Sequence, residues 1–297
     1  MKIHRLMSAG SITILVLSSA VFCLFPISSY ATVDWQEGFE YTSKSAQNTV
    51  WASSCANSPD YLFSSTERPH IGARSLKMEY TGNVGITSGF RSCFMDRNLV
   101  GRSTTLYTRI FIYMTGSGGR TDFIGGTAAT KIYSTAARSS VTGANTYPGF
   151  WWLGALFSNV GHALTLEGVP NSAQPTATAL QGKNITGGGF PQNQWVCMET
   201  RVSLGSPGQA NGIIQTWING QPRMNSQNER LLVQTQGQFG GRNSPYSQFA
   251  YMRLYVQNGI GIIYVDDFAV SRDARIGCGS SVSDPTPPNV PNGVVVR

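Results

Sequence analysis

The sequence predicts an all-β fold, an antiparallel sandwich of two sheets. Short runs of alternating apolar and polar residues are separated by Gly, Asn, Ser and Pro, which is typical of half-buried strands joined by turns. Glycine is abundant, at 33 residues, and no stretch keeps the 3.6-residue apolar repeat of an amphipathic helix. The predicted strands are 74–80, 106–114, 129–133, 150–158, 163–166, 195–204, 213–219, 251–257 and 262–271.

One turn has a specific signal. Asn219 and Gly220 directly follow the apolar pair Trp217 and Ile218. Both turn positions tolerate positive φ, so the sequence predicts a hairpin there.

The first 31 residues are typical of a secretion signal. Lys2 and Arg5 precede an apolar stretch, and Ser29 and Ala31 supply the small residues that a signal peptidase needs. A membrane anchor is the alternative, but the apolar run is short for a span of about 20 residues and ends at Pro26. We therefore expect a signal peptide over 1–31, one sandwich domain over 32–279, a Pro-rich disordered tail over 280–297, and a secreted or periplasmic location.

Cysteine usage agrees with export. Four cysteines remain once Cys23 is removed with the signal, and an even number in an oxidising compartment predicts two disulfides. Four cysteines allow three connectivities. The favoured one joins Cys55 to Cys93, and Cys197 to Cys278, because the second bond would fix the exit of the last strand to a central strand.

The charge pattern favours an acidic partner. The chain has 22 basic and 15 acidic residues, and most of the basic ones are Arg. Arg pairs bidentately with carboxylates and sulfates, whereas Lys is a point charge. The alternative is that Arg only solubilises a secreted surface. Export and the scarcity of Lys disfavour nucleic acid as a partner, and we expect a monomer that is not held at a membrane after signal cleavage.

Four of the predicted strands divide into an aliphatic face and an unusual second face. Side chains alternate across a sheet, so strands 106–114, 195–204, 213–219 and 251–257 each place aliphatic residues on one side. The other side carries Tyr107, Arg109, Phe111, Tyr113, Trp195, Cys197, Glu199, Arg201, Gln215, Trp217, Asn219, Tyr251, Arg253, Tyr255 and Gln257. Aromatic rings stack on sugar faces and guanidinium groups bind hydroxyls or carboxylates, so this face predicts a sugar-binding groove. A second layer of buried packing is the alternative.

Several segments resemble a known family. QWVCME (194–199), GIIQTWING (212–220) and YVDDFAVS (264–271) resemble the concanavalin A-like jelly roll, and they are most similar to its polysaccharide-lyase-like branch. GFE (38–40), TKIY (130–133) and RIG (275–277) fit the same pattern. The resemblance covers most of 33–278 and implies a two-sheet antiparallel jelly roll.

The resemblance also implies a chemistry, β-elimination on a uronate-containing acidic polysaccharide. In such lyases a cationic or amide group neutralises the carboxylate, a Tyr or His removes the neighbouring proton, and a Tyr protonates the leaving oxygen. YMRLYVQN (251–258) resembles the Tyr-x-Lys…Tyr-Asn-Gln strand of alginate lyases. Arg253 and Arg109 are then the expected carboxylate-binding groups and Tyr255 or Tyr251 the proton-transfer phenol, with His162 as the alternative base.

The remaining expectations concern binding. The candidate substrate-binding residues are Tyr107, Lys131, Trp195, Glu199, Arg201, Gln215, Trp217 and Gln257. The same face would also serve a non-catalytic carbohydrate-binding or adhesion module. Glycoside hydrolysis is disfavoured, because Glu199 is the sole acid on its strand.

No cofactor is expected. A structural calcium ion is conceivable at Glu40, Asp266 and Asp267, where the first and last strands would meet, since calcium prefers several oxygen ligands. Hydrogen bonds from these acids to loop amides are the alternative.

Overall fold

The computed structural model describes residues 31–53, 62–81, 93–115, 130–136, 151–157, 163–168, 183–184, 191–206, 209–229, 249–257 and 260–279. Within them lie one short helix and a series of strands that pair only in antiparallel fashion, so the all-β prediction is confirmed. The elements are β1 (Trp35–Glu37), α1 (Lys44–Val50), β2 (Ala52–Ser53), β3 (Leu62–Ser65), β4 (Ser75–Thr81), β5 (Cys93–Ser103), β6 (Thr105–Met114), β7 (Thr130–Ala136), β8 (Trp151–Phe157), β9 (Ala163–Gly168), β10 (Lys183–Asn184), β11 (Trp195–Ser203), β12 (Gly212–Ile218), β13 (Gln221–Glu229), β14 (Phe249–Gln257) and β15 (Ile260–Ser271).

The strands form two sheets that pack face to face. The first sheet has the order β13-β12-β11-β6-β15-β4-β3, and β1 pairs with the C-terminal part of β15. The second sheet has the order β10-β9-β8-β7-β14-β5-β2. Strands that are distant in the chain lie side by side, as β6 and β15 do, which is the jelly-roll arrangement that the resemblance implied.

The core lies between the two sheets. Ile110 and Ile112 of β6 and Met198 of β11 point inward from the first sheet, and Met252 and Leu254 of β14 point inward from the second; all five are fully buried. Each such side chain contributes about 1.5–3 kcal/mol relative to exposure. The inward positions of these strands are those that the alternation predicted.

The hairpin between β12 and β13 is confirmed. Asn219 and Gly220 have φ of 49° and 79°, the pair of positive values that a type I′ turn requires. Along β12 the buried residues Ile214 and Ile218 alternate with the half-buried Gln215, as the strand pattern predicted.

Two elements lack a strong apolar pattern in the sequence. The strand β13 is polar, contains Pro222 and lies at the edge of the first sheet, where a polar strand prevents pairing with another molecule. The helix α1 is a single short segment whose N-terminus is capped by Ser43, with the Ser43 hydroxyl 3.1 Å from the amide of Ala46.

Several expectations concern residues outside the described ranges. The signal peptide except Ala31, the tail 280–297, His162 and Cys55 are among them, so these stay predictions. In the part of the chain that the structure describes, no helix has the length and apolar character needed to span a bilayer.

Candidate functional site

The predicted polar and aromatic face is divided between the two sheets. The strands β6, β11 and β12 belong to the first sheet, whereas β14 lies in the middle of the second. Because both inner faces meet in the core, the second face of β14 and that of β6 lie on opposite sides of the sandwich. The prediction of one shared face is therefore wrong. Alternation shows which residues share one side of a strand, but it does not show which sheet the strand joins.

On the first sheet, Arg109 is buried in an ion pair. Its side chain is 1% exposed, and Nη2 donates to Oδ1 of Asp267 at 2.8 Å. Gln36 Nε2 donates to the same oxygen at 2.6 Å. Burial raises the pKa of Asp267, and the charge of Arg109 opposes that rise. Arg109 therefore contacts a carboxylate of its own chain, and the expectation that it faces a substrate is not met.

The carboxylate of Glu199 also binds groups of its own chain. It is 1% exposed and accepts hydrogen bonds from Arg275 Nε at 2.9 Å and from the amide of Gly277 at 2.7 Å. The disulfide between Cys197 and Cys278 lies beside it, which confirms the second predicted bond. Residues 272–279, here called the C-terminal strap, thus cover part of this face. A sugar contact by Glu199 would require the strap to leave.

The aromatic residues of the same face pack under other parts of the chain. His70 stacks on Phe111 with 3.8 Å between the ring centroids, and it also contacts Trp195 at 5.2 Å. The guanidinium of Arg275 lies 4.5 Å from the ring centroid of Trp217. The centre of this face is a second packed layer, which was the alternative to a groove.

Three predicted binding residues of the first sheet lie beyond this packed layer. Tyr107, Arg201 and Gln215 are half-buried and occupy directly opposite positions on β6, β11 and β12. They remain candidates for ligand contact.

The second sheet places the other candidates in one row. Met252 and Leu254 of β14 are buried in the core, so positions 251, 253 and 255 lie on the outer face of the sheet. Arg253 is half-buried. Thus β14 offers a phenol, a guanidinium and a second phenol at alternate positions of a central strand.

Neighbouring strands pair polar residue types with the positions of β14. On β7, Lys131 lies opposite Gln257, and Ser134 lies opposite Arg253. On β5, Asp96 lies opposite Arg253. Sequence reasoning missed Asp96 and Ser134, because β5 had not been predicted as a strand and the predicted strand 129–133 ended before Ser134.

Arg275 was also missed as a partner of Glu199, although a signal was present. The predicted bond between Cys197 and Cys278 already placed residue 275 close to the strand that carries Glu199.

The three acids of the calcium hypothesis bind other groups. Glu40 accepts from the amides of Ala73 and Arg74 at 3.0 and 3.1 Å. Asp266 accepts from the amide of His70 at 2.8 Å, and burial raises the pKa of Asp266 to about 8. Among the described residues, the group of three possible ligands is Cys197, Glu199 and Cys278, and both cysteines are in the disulfide. A calcium site at the acids stays a prediction.

Comparisons with known proteins agree with the fold. No protein-family model and no curated protein matches the sequence. Among solved structures, an endo-β-1,4-glucuronan lyase from the fungus Trichoderma reesei is 12% identical, with a TM-score of 0.56 over 81% of this chain and 95% of that one. The cellulose-induced protein Cip1 is 16% identical, with a TM-score of 0.52 over 82% and 100%. A PL-14 alginate lyase from Aplysia kurodai is 13% identical, with a TM-score of 0.51 over 82% and 100%. At these identities the likeness shows the shared jelly-roll fold.

Proposed function

We propose that this protein acts on an acidic polysaccharide and cleaves it at uronate residues by β-elimination. The observation that carries the proposal is that β14 is an interior strand of the second sheet and that positions 251, 253 and 255, which carry Tyr, Arg and Tyr, alternate along it with the buried Met252 and Leu254. The fold supports it, because solved structures with the same fold include a glucuronan lyase and alginate lyases. Proteins with the same fold have different activities, so the proposal depends on the residue types at positions 251, 253 and 255 of β14 as well.

The row contains the groups that β-elimination needs. Alternate residues of a strand are about 7 Å apart, so one Tyr lies on each side of Arg253. A guanidinium that binds the uronate carboxylate stabilises the negative charge that develops when the adjacent carbon loses its proton. Tyr255 or Tyr251 accepts that proton as the phenolate. The electron pair forms the C4–C5 double bond, the C4–O4 bond breaks, and the leaving oxygen is protonated by the second Tyr.

The flanking positions suit the neighbouring sugar. Lys131 and Gln257 are paired in the register of β7 and β14, so the positions beside the proposed reacting unit carry a Lys and a Gln. Such groups bind the carboxylate and hydroxyls of a polymer on either side of the cleaved bond. His162 remains the alternative base.

A non-catalytic carbohydrate-binding module is the second candidate. Asp96 pairs with Arg253 in the register of β5 and β14, and an acid at that position would compete with a ligand for the guanidinium. A guanidinium that is shared in this way still binds hydroxyls but neutralises a carboxylate less strongly. The protein would then hold the polymer without cutting it.

One assay separates the two candidates. The processed protein is incubated with glucuronan, alginate and glycosaminoglycans, and the ultraviolet absorbance of the unsaturated uronate is followed. The lyase proposal predicts product from at least one of them. Retention in gels that contain the polymer, without product from any of them, would select the binding module instead.

We also propose that the protein is exported and works as a monomer. The sequence of residues 1–31 and the disulfide between Cys197 and Cys278 support an oxidising location. Mass spectrometry of the protein recovered from the medium or periplasm tests whether the chain begins near Thr32, and light scattering tests its oligomeric state.

A further inference from the structure

Four polar side chains form a continuous row on the outer face of the first sheet. Arg201 of β11 lies opposite Tyr107 of β6 and Gln215 of β12, and Gln215 lies opposite Asn225 of β13. We call Tyr107, Arg201, Gln215 and Asn225 the Arg201 row. It crosses four adjacent strands and therefore spans about 14 Å.

Neighbouring groups hold the guanidinium of Arg201 in place. Its Cζ lies 5.7 Å from the ring centroid of Tyr107, and Nη1 donates to Gln215 Oε1 at 3.0 Å. Gln215 Nε2 in turn donates to Asn225 Oδ1 at 3.1 Å. A group that is already positioned loses less conformational freedom when it binds a ligand.

The charge of Arg201 is not compensated by the rest of the described structure. No salt bridge to Arg201 occurs among the described residues, and its Nε is buried without a hydrogen-bond partner there. The acids of β6, β11, β12 and β13 are Glu199 and Glu229, and both are buried. Arg223 on β13 is exposed, which adds a second positive charge to the edge strand next to Gln215. A half-buried cation without a counter-charge favours an anionic ligand.

We propose that the Arg201 row is a second binding site for acidic polysaccharide, on the side of the sandwich opposite β14. Its anchor is the guanidinium of Arg201, which binds a carboxylate or sulfate group of the polymer. The Tyr107 ring and the amides of Gln215 and Asn225 contact the sugar ring and hydroxyls beside that group. The inference rests on the proposed substrate class but not on cleavage, because the row holds the polymer and leaves it intact.

The test measures polymer binding in a protein whose β14 row is weakened. In the Arg253→Gln background, Arg201→Gln is compared with Arg272→Gln, which removes the same charge from an exposed residue of the strap. Affinity electrophoresis uses glucuronan for carboxylates, dextran sulfate for sulfates and dextran as the neutral polymer. Circular dichroism and the melting temperature establish that all variants are folded.

The expected result is a loss of affinity specific to Arg201. Hydrogen bonds to charged groups predict a dissociation constant at least about tenfold higher for Arg201→Gln with one or both anionic polymers, and little change for Arg272→Gln. The polymer that shows the loss identifies the anion. Equal retention of the two variants on both anionic polymers would overturn the proposal that the Arg201 row binds acidic polysaccharide. Absence of product from the wild-type protein would contradict the lyase proposal and would leave this comparison unaffected.

Discussion

The guanidinium of Arg109 and the carboxylate of Asp267 form an ion pair across β6 and β15, with 2.8 Å between Nη2 and Oδ1. The two side chains are only 1% and 3% exposed. Residue 267 follows Asp266, where the pairing of β15 with β6 shifts register, and it has a φ of 49°. The irregular backbone therefore occurs at the residue whose carboxylate pairs with Arg109. This ion pair is buried at the centre of the first sheet's outer face. Arg109 is therefore not available to a ligand at the centre of this face.

Removal of Arg109 should destabilise the fold strongly. In Arg109→Met the carboxylate of Asp267 stays buried without its cation, and loss of one partner of a buried pair costs about 3–5 kcal/mol. Urea unfolding measures the free energy of unfolding. Arg272→Gln is the control, because it breaks an exposed pair with Asp34 and should change little. A similarly small effect in both variants would contradict the structural role of Arg109.

Substitution of Gly72 should also destabilise the protein. Gly72 has a φ of 76°, and a Cβ there would lie 2.2 Å from Glu40 Oε1, which is held by the amides of Ala73 and Arg74. Gly72→Ala is expected to cost about 1–3 kcal/mol. Gly277→Ala is the matched control, since Gly277 also has a positive φ, of 85°, but its Cβ would meet no atom within 4 Å. Equal melting temperatures of the two variants would show that the contact between Glu40 and this loop is absent in solution.

Loss of the disulfide between Cys197 and Cys278 should release the C-terminal strap. The bond closes a separation of 81 residues, and replacing both cysteines by serine is expected to cost about 2–4 kcal/mol. Mass spectrometry of unreduced peptides checks the pairing directly and also tests the predicted bond between Cys55 and Cys93. If reducing agent lowers the stability of the double variant further, a second disulfide is present. Peptides that join Cys197 to another cysteine would refute the observed pairing.

The stability of the protein should depend on pH through Asp266. Burial raises the pKa of Asp266 from 3.8 to about 8, against the opposing hydrogen bonds from loop amides. Between these values the folded protein binds more protons at Asp266 than the unfolded chain does, so the free energy of unfolding falls as the pH rises. Burial lowers the pKa of the neighbouring His70 below its usual value of 6.5. Just below pH 6.5 the unfolded chain therefore binds more protons at His70 than the folded protein does, so this group makes the free energy of unfolding rise with pH. Two charged groups also act on the pKa of His70: the carboxylate of Asp267 raises it and the guanidinium of Arg109 lowers it.

The Asp266→Asn variant isolates this effect. Its stability relative to the wild-type protein should improve steadily between about pH 4 and about pH 8. Urea unfolding at several pH values gives that difference. A difference that stays constant with pH would mean that Asp266 does not titrate in this range.

The fold class and most of the long strands could be predicted from the sequence because that information is local. The predicted strands whose burial the structure describes have a buried face at the expected phase, as Ile214 and Ile218 show on β12, and the turn at Asn219 and Gly220 needs only local backbone preferences. Most of the strands that were missed lie at sheet edges, but the interior strand β5 was missed as well. The polar strand β13 is the clearest case at an edge.

The site was only partly predictable because it depends on long-range pairing. Alternation placed Arg109 and Arg253 on the second faces of their strands, which is correct for each strand. It could not show that β6 and β14 belong to different sheets, or that Arg109 would form an ion pair with Asp267. Sheet membership follows from contacts between distant segments, which a strand pattern does not contain.

The cleavage rate of the Arg253→Gln variant tests the central claim most directly. The measurement is kcat/KM for unsaturated product on the uronate polymer that the wild-type protein cleaves best, with Arg272→Gln as the charge-matched control. If the outer face of the second sheet carries the reaction, Arg253→Gln should lower kcat/KM by about 100-fold or more, while Arg272→Gln should retain wild-type activity. Wild-type activity in Arg253→Gln would contradict the assignment of the β14 row as the site of catalysis.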